Sequence, residues 1–442
     1  MTWRNSIMQN RLQMICTSVL IALLQSALLT FTGCSEERPA RVEIKKKKKG
    51  YDLYLNDKPF YIKGAVAWNR FDLIEKYGGN AARSGSRPEL LDKAAKYDLV
   101  CLVNLPVKAE RDGMNYDDSS AVREQFDRVI AFVQDYKHHP AVMMWALGNE
   151  LDWIPPGEPY NRKVWSHLND LAVKIHEIDP LHPVLTTIGS VHEKVIQELN
   201  ASAPQLDLIG LNEYGNILKL SGWIRDFGWK KPYVLTEWGP SGFWQVPYTG
   251  WDAPVEETST MKAELYQKRY EQAILEDEEL CLGSFVFLWN QHQERTHTWF
   301  GMFDAQWRET EAVNVMRYEW TGEWPENRAP AIDSVLLAGR TAYSSICLRK
   351  GQTCSAEVFV SDPDHDPLQY NWEILKEGTE FPYGGQGEER PPAVSGLIKN
   401  PAQAEIQLNA PAESGAYRVF VYIYDDHNHF ATANIPFYVK GN

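Results

Sequence analysis

The sequence predicts an α/β protein, a (β/α)8 TIM barrel followed by an all-β, immunoglobulin-like sandwich. Three observations carry that expectation. The chain has 442 residues, too many for one ordinary core and enough for a large barrel plus a small module. Eight apolar runs, beginning near Phe60, Asn80, Leu99, Ala141, Pro183, Leu206, Tyr233 and Leu282, alternate with helix-like stretches, which suits a closed parallel barrel better than a doubly wound sheet. Near Pro325-Glu-Asn-Arg-Ala-Pro330 the helical period vanishes, and the short alternating runs beyond it, such as Tyr417 to Tyr424, are broken by Gly, Pro and Asp turns.

The first segment has the character of a targeting signal. Arg4 and Arg11 precede an uncharged run from Leu12 to Gly33, so residues 1–33 read as a signal peptide. Thr32-Gly33-Cys34 resembles a bacterial lipobox, in which Cys34 becomes the lipidated first residue, although Phe31 stands where Leu is usual. The run is also about long enough to span a bilayer as an uncleaved anchor. Both readings give an exported, membrane-tethered lipoprotein or anchored protein, on the periplasmic side or the cell surface. Residues 34–50 read as a polar tether, with Lys45 to Lys49 as a solvated basic face.

Residues 51–324 carry the barrel pattern. Tyr51 to Phe60 alternates apolar and polar positions around an Asn-Asp turn, a hairpin signal that feeds into the first barrel strand. In the long helix before Ala141, Val122, Phe126, Val129, Ile130 and Val133 fall on one face; Val164, Leu168, Leu171, Ala172 and Ile175 repeat that period further on. Residues 325–442 form the sandwich.

Two runs share one design. Ala141-Val-Met-Met-Trp-Ala-Leu-Gly-Asn-Glu150 and Tyr233-Val-Leu-Thr-Glu237-Trp-Gly239 are each an apolar strand that ends on a glutamate near a glycine. An isolated Glu after a strand is usually a cap or a surface pair. Two of them, at the ends of the fourth and seventh strands, place two carboxylates on the face where barrel active sites are built. Paired carboxylates are what acid/base hydrolysis of an acetal requires. Glu213, at the end of the sixth strand, is an alternative carboxylate.

Composition narrows the partners. A net charge of −14 argues against nucleic acid, because phosphate binding needs a basic surface. Sixteen Trp and 21 Tyr are mostly core, yet an enzyme handling sugars also needs flat apolar faces, and Trp153, Phe243, Trp244, Trp251 and Trp299 lie on or near loops of the catalytic face. No CxxC or HExxH pattern occurs, so neither a metal nor another cofactor is expected. Cys347 and Cys354 have hairpin-like spacing, and export makes a disulfide between them an open option. Asp362-Pro-Asp-His-Asp366 has the alternating carboxylates of a calcium loop but lacks the full ligand set, so an Asx-type turn is preferred.

Four motifs in order carry a family resemblance: Leu53-Tyr-Leu-Asn-Asp-Lys-Pro-Phe-Tyr-Ile-Lys-Gly64, Asn80-Ala-Ala-Arg83, Trp145-Ala-Leu-Gly-Asn-Glu150 and Leu235-Thr-Glu-Trp-Gly239. From about Tyr51 to Gly322 the chain resembles clan A retaining glycoside hydrolases, most of all the barrel of glycoside hydrolase family 2. The resemblance implies Glu150 as general acid/base and Glu237 as nucleophile, with carboxyls about 5 to 5.5 Å apart across the sugar. It also implies that Arg83 hydrogen-bonds the nucleophile, Asn149 holds the sugar 2-hydroxyl, Tyr214 orients Glu237, and Trp289 floors the sugar subsite. Arg83 has an alternative as partner of a structural acid, and Tyr214 and Trp289 as packing residues. Family 2 enzymes usually carry sandwich domains before the barrel; here the sandwich follows it, so substrate preference does not transfer.

The functional expectation is therefore a retaining glycoside hydrolase acting on β-linked oligo- or polysaccharide. Two alternatives stand beside it: a transglycosylase on the same site, and a non-catalytic cell-surface glycan-binding protein.

Overall fold

The computed structural model describes residues 39–154, 160–378 and 388–441. The expected signal peptide and the lipid-bearing Cys34 lie outside the described residues. No described helix is long and apolar enough to cross a membrane.

The described chain opens with a small antiparallel sheet, β1 (Val42–Lys46), β2 (Tyr51–Leu55) and β3 (Lys58–Phe60), in that spatial order. Asn56 and Asp57, at φ 52° and 63°, make the two-residue turn that joins β2 to β3, as an Asn-Asp pair suits. The expected polar tether over 34–50 thus contains a strand. Val42 and Ile44 alternate with charged residues, and Val42 is buried with Leu53 against Ile62, Met144 and Val234 inside the barrel. The basic run concealed this alternation.

Eight parallel strands close the barrel: β4 (Ile62–Val66), β5 (Ala81–Gly85), β6 (Val100–Leu105), β7 (Val142–Asn149), β8 (Val184–Ile188), β9 (Leu208–Asn212), β10 (Tyr233–Trp238) and β11 (Cys281–Val286). The first begins two residues later than the apolar run, because Phe60 pairs back with Leu53 in the hairpin. Helices pack outside them over a core of alternate strand residues such as Cys101, Val103, Trp145, Leu147 and Leu235. The longest, Ser119–Tyr136, starts at Asp118, whose carboxylate accepts from the amides of Ser120 and Ala121, a standard N-cap.

After the barrel come β12 (Ala331–Leu337), β13 (Ile346–Arg349), β14 (Thr353–Ser361), β15 (Gln369–Lys376), β16 (Ile398–Lys399), β17 (Glu405–Asn409), β18 (Gly415–Tyr424) and β19 (Phe430–Lys440). They form two four-stranded sheets, β12-β14-β17-β16 and β13-β19-β18-β15, antiparallel except for the β13–β19 pair. One apolar core, including Val358, Leu408, Trp372, Val421 and Phe437, is shared by both sheets and makes them a sandwich. Cys347 on β13 and Cys354 on β14 fall in different sheets and are free thiols. In the acidic turn, Asp362 Oδ1 accepts from the amides of Asp364 and Asp366, an Asx-type arrangement. The sandwich is seamed to the barrel by polar bonds, among them Arg418 to the carbonyl of Pro254 and Asn434 to Glu256.

Candidate active site

β7 is buried from Val142 to Gly148, and the chain then turns sharply at the carboxyl end of the barrel. Gly148 sits at φ 73°, and a Cβ there would lie 2.9 Å from the carbonyl oxygen of Val107, so glycine is required. Glu150 adopts φ 50°, an uncommon conformation for a non-glycine residue and one that clusters at functional sites. Its backbone amide donates to Thr187 O at 2.9 Å. The Arg111 guanidinium donates to the carbonyls of Asn149, Glu150 and Trp153 at 3.1, 2.5 and 2.9 Å, which fixes the turn. Gly189 leaves room for the side chain, since a Cβ there would stand 3.1 Å from Glu150 Cγ and Cδ.

Glu237 is the fifth residue of β10 and points to the same mouth. Its Oε1 accepts from Arg83 Nη1 at 2.5 Å and its Oε2 from the Tyr214 hydroxyl at 3.0 Å. Arg83 is only 3% exposed; it also donates to Thr236 O at 3.1 Å and to Asn149 Oδ1 at 2.6 Å. Asn212, the last residue of β9, donates to Asn149 Oδ1 at 3.2 Å and to Glu150 Oε1 at 2.7 Å. Thr236 Oγ1 donates to Asn212 Oδ1 at 2.8 Å and thereby sets the orientation of that amide. One continuous chain of hydrogen bonds therefore runs Glu150, Asn212, Asn149, Arg83, Glu237 across four strands.

The electrostatics separate the two carboxyls. Burial, followed by the negative charge of Glu237, pushes Glu150 up to about 7, and only the Asn212 bond and Arg111 pull against that rise. Burial and the charges of Glu237, Glu294 and Glu150 hold the Tyr214 hydroxyl well above its ordinary range, so it stays a donor to Glu237. Asp152, whose Oδ1 accepts from Gly189 N at 2.9 Å, is raised by burial to about 6.

Glu150, Glu237, Arg83, Asn149 and Tyr214 thus meet in one cluster, and Trp289 does not. Trp289 is fully buried between Tyr77, Phe303 and Trp320, in the layer outside the strands, and cannot floor a sugar subsite. The reason is register: β11 ends at Val286, so the strand alternation does not reach residue 289. The part-exposed aromatic near the cluster is Phe287, 6.1 Å from the Tyr214 ring. Glu213 also stays outside the cluster; its carboxylate accepts from the amides of Tyr214 and Asn216 and secures its own loop. Of the loop aromatics, Trp244 is 52% exposed and sits edge-on to Tyr214 at 5.7 Å, with Phe243 beside it. Trp299 is buried and Trp251 packs on Tyr438 of the sandwich.

The sequence alone does not single out Asn212, Arg111 or Asp152. Asn212 carries a usable signal, its place at the end of a barrel strand, but the carboxylate of Glu213 beside it is the more conspicuous group. Arg111 lies in a single 3-10 turn, Glu110–Asp112, where spacing says nothing of direction.

The description "Glycosyl hydrolases family 2, TIM barrel domain" belongs to the family model that matches residues 100–271. β-Glucuronidase of Paenibacillus borealis is 24% identical over 334 residues, covering 63% of this chain and 52% of that protein. Human β-glucuronidase is 24% identical over 235 residues, 44% of this chain and 33% of its own. The structure of Bifidobacterium dentium β-glucuronidase complexed with coumarin-3-O-glucuronide superimposes with a TM-score of 0.50 at 16% identity, over 64% of this chain and 49% of that one. The chain spans about half the length of the first of these relatives and a third of the second.

Proposed function

We propose that this chain, whose barrel is related to that of glycoside hydrolase family 2, is a retaining glycoside hydrolase acting on β-linked oligo- or polysaccharide. The observation that supports it best is the division of labour between two carboxyls in one hydrogen-bonded cluster. Glu150 keeps a proton near neutral pH, and Glu237 faces a buried guanidinium and a phenol.

In the first step a Glu237 oxygen attacks the anomeric carbon while Glu150 gives its proton to the glycosidic oxygen, so the leaving group departs as an alcohol and a glycosyl ester forms. In the second, Glu150, now ionised, takes a proton from water; the hydroxide oxygen displaces Glu237 and the product keeps its β configuration. Arg83 offsets charge on Glu237 and stays in place through Asn149 and Thr236. In this reading the Asn149 amide nitrogen, next to the acid in sequence, donates to the sugar 2-hydroxyl. Phe243 and Trp244 offer flat faces for further sugar units.

The test is the anomer first released from a β-linked substrate, followed by NMR, together with the Glu237→Ala variant. The expected outcome is a β product from the wild type, turnover reduced by at least about 10⁴-fold in the variant, and partial rescue by azide to give the α-glycosyl azide. An α product from the wild type contradicts the double displacement, and an undiminished variant contradicts the role of Glu237.

A further inference from the structure

Glu150 holds a backbone state that its own chain does not favour. Its φ of 50° lies in the left-handed region, where a Cβ crowds the backbone, so surrounding contacts must impose it. The residues that follow close a tight turn, in which the Trp153 amide donates to Glu150 O at 3.0 Å. One side chain spans that turn. Arg111 Nη1 donates to the carbonyls of Glu150 and Trp153 at 2.5 and 2.9 Å, and Nη2 donates to the carbonyl of Asn149 at 3.1 Å. Every hydrogen bond of the Arg111 side chain among the described residues goes to this turn, and its guanidinium also lies 5.5 Å from the centre of the Trp153 ring. The rigid, planar fork of arginine holds three carbonyls in one arrangement, which the flexible ammonium of a lysine does not reproduce.

Packing gives the turn less support than these bonds do. A cavity of about 220 Å³ lies beside it, lined among the described residues by Arg111, Tyr116, Leu151 and Trp153 as well as others. Close-packed neighbours would hold a turn by shape; beside an open space the polar ties carry that task. Without the guanidinium, three carbonyls lose a donor and the turn has room to move.

Acting through the backbone also suits the chemistry. Arg83 binds the Glu237 carboxylate itself, and a guanidinium bound in that way to Glu150 would favour its ionised form and empty the proton store. Arg111 fixes the backbone of Glu150 and leaves its carboxyl to Asn212.

We infer that Arg111 is a positioning residue: by tying together both ends of the turn from Asn149 to Trp153, it keeps the Glu150 carboxyl where a glycosidic oxygen can take its proton. The kinetic consequences rest on the hydrolase reading above.

The experiment compares the wild type with Arg111→Lys and Arg111→Met on two substrates of whichever sugar the wild type cleaves fastest, the 2,4-dinitrophenyl β-glycoside and an unactivated β-linked disaccharide. Both variants are expected to lose about 10- to 100-fold in kcat/KM on the disaccharide, whose leaving group needs the proton, and less than about 3-fold on the dinitrophenyl glycoside, whose leaving group does not. For the dinitrophenyl glycoside kcat and KM should fall together, because water still needs Glu150 as base to displace Glu237, and added azide should restore kcat. A crystal structure of Arg111→Met reads the same role without turnover: Glu150 should leave the left-handed region and its bond to Asn212 should be lost. Equal losses on both substrates in a folded variant, unchanged kinetics, or Glu150 still in place in Arg111→Met overturns the inference. A turn that moves in Arg111→Met, in a protein whose wild type cleaves no β-linked substrate, would leave the positioning of Glu150 standing and sink the hydrolase reading alone.

Discussion

Glu150 at the barrel mouth and Glu256 at the seam between barrel and sandwich are both glutamates withdrawn from water and set among charges, and their proton affinities move in opposite directions. For Glu256 burial favours the neutral form, but the charges of Lys262 and Arg418 and the bonds from Lys262 and Thr296 outweigh it, so the carboxyl is held below its ordinary value. Four donors reach it: Lys262 at 2.6 Å, Thr296 at 2.7 Å, Thr298 at 2.8 Å and Asn434 at 2.7 Å. Glu150 has one side-chain donor, Asn212, and a carboxylate for a neighbour, and it rises to about 7. Burial alone decides neither. The count and charge of donors determine whether a buried acid serves as a fixed anion or as a proton store, and the mouth is left short of donors where the proposed mechanism moves a proton.

The largest effect is expected from Glu150→Gln. Loss of the proposed acid/base should lower kcat/KM by about 10²- to 10⁴-fold on substrates with poor leaving groups, measured at pH 6. Stability should move the other way at alkaline pH. Because the folded value lies above the unfolded one, the stability Glu150 contributes is full below about pH 4.5 and is lost as pH rises through about 7, where the buried charge becomes a liability. The thermal midpoint at pH 8 is therefore expected to hold or rise in Glu150→Gln, and a fall of several degrees would count against this account of the mouth.

Glu256→Gln should do the reverse. Removing the anion leaves Lys262 without its partner in a buried seam, which costs about 3 to 5 kcal/mol of stability at pH 7. Since the folded value is depressed, that stability is present above about pH 4.5 and is lost as pH falls through the folded value, so wild type and variant should converge on acidification. Denaturant titrations at pH 7 and pH 4 read this directly. Activity per folded molecule should change by less than about 2-fold, and a large loss of kcat with intact stability would show that the seam acts on the mouth.

Much of this layout was legible in the chain, and the gaps have physical causes. Glu150 and Glu237 were legible because an apolar strand ending on a charge is a one-dimensional pattern, and eight strands in register turn that pattern into a shared face. Arg83 and Asn149 came only with the family resemblance, through motifs that end on those strands. Trp289 misled because the alternation of β11 stops at Val286, and past that point the side to which a residue points is set by packing against Tyr77, Phe303 and Trp320. The strand Val42–Lys46 was hidden because its alternation, Val42 and Ile44 against Glu43 and Lys45, runs straight into the lysine run that continues to Lys49.

The smallest expected effect bears most directly on the contrast between the two glutamates. Asn212→Ala removes the one side-chain donor of Glu150, a bond that favours the ionised form, so the proton should be held more tightly still. The alkaline limb of the kcat/KM profile should then move to higher pH, by an amount on the order of the 1.5 to 3 kcal/mol that a hydrogen bond to a charged group is worth, less whatever water replaces. At pH 6, where the acid is already protonated, the rate should fall only a few-fold through looser placement of Asn149. Thr298→Ala at the seam is the matched control, because it takes one donor of four from Glu256 and leaves the Lys262 charge in place. That variant should leave the limb where it is. A limb that stays put in Asn212→Ala, or shifts downward, would mean that the proton on Glu150 is governed by burial and Glu237 alone, and donor number would then lose its place in explaining how the two glutamates differ.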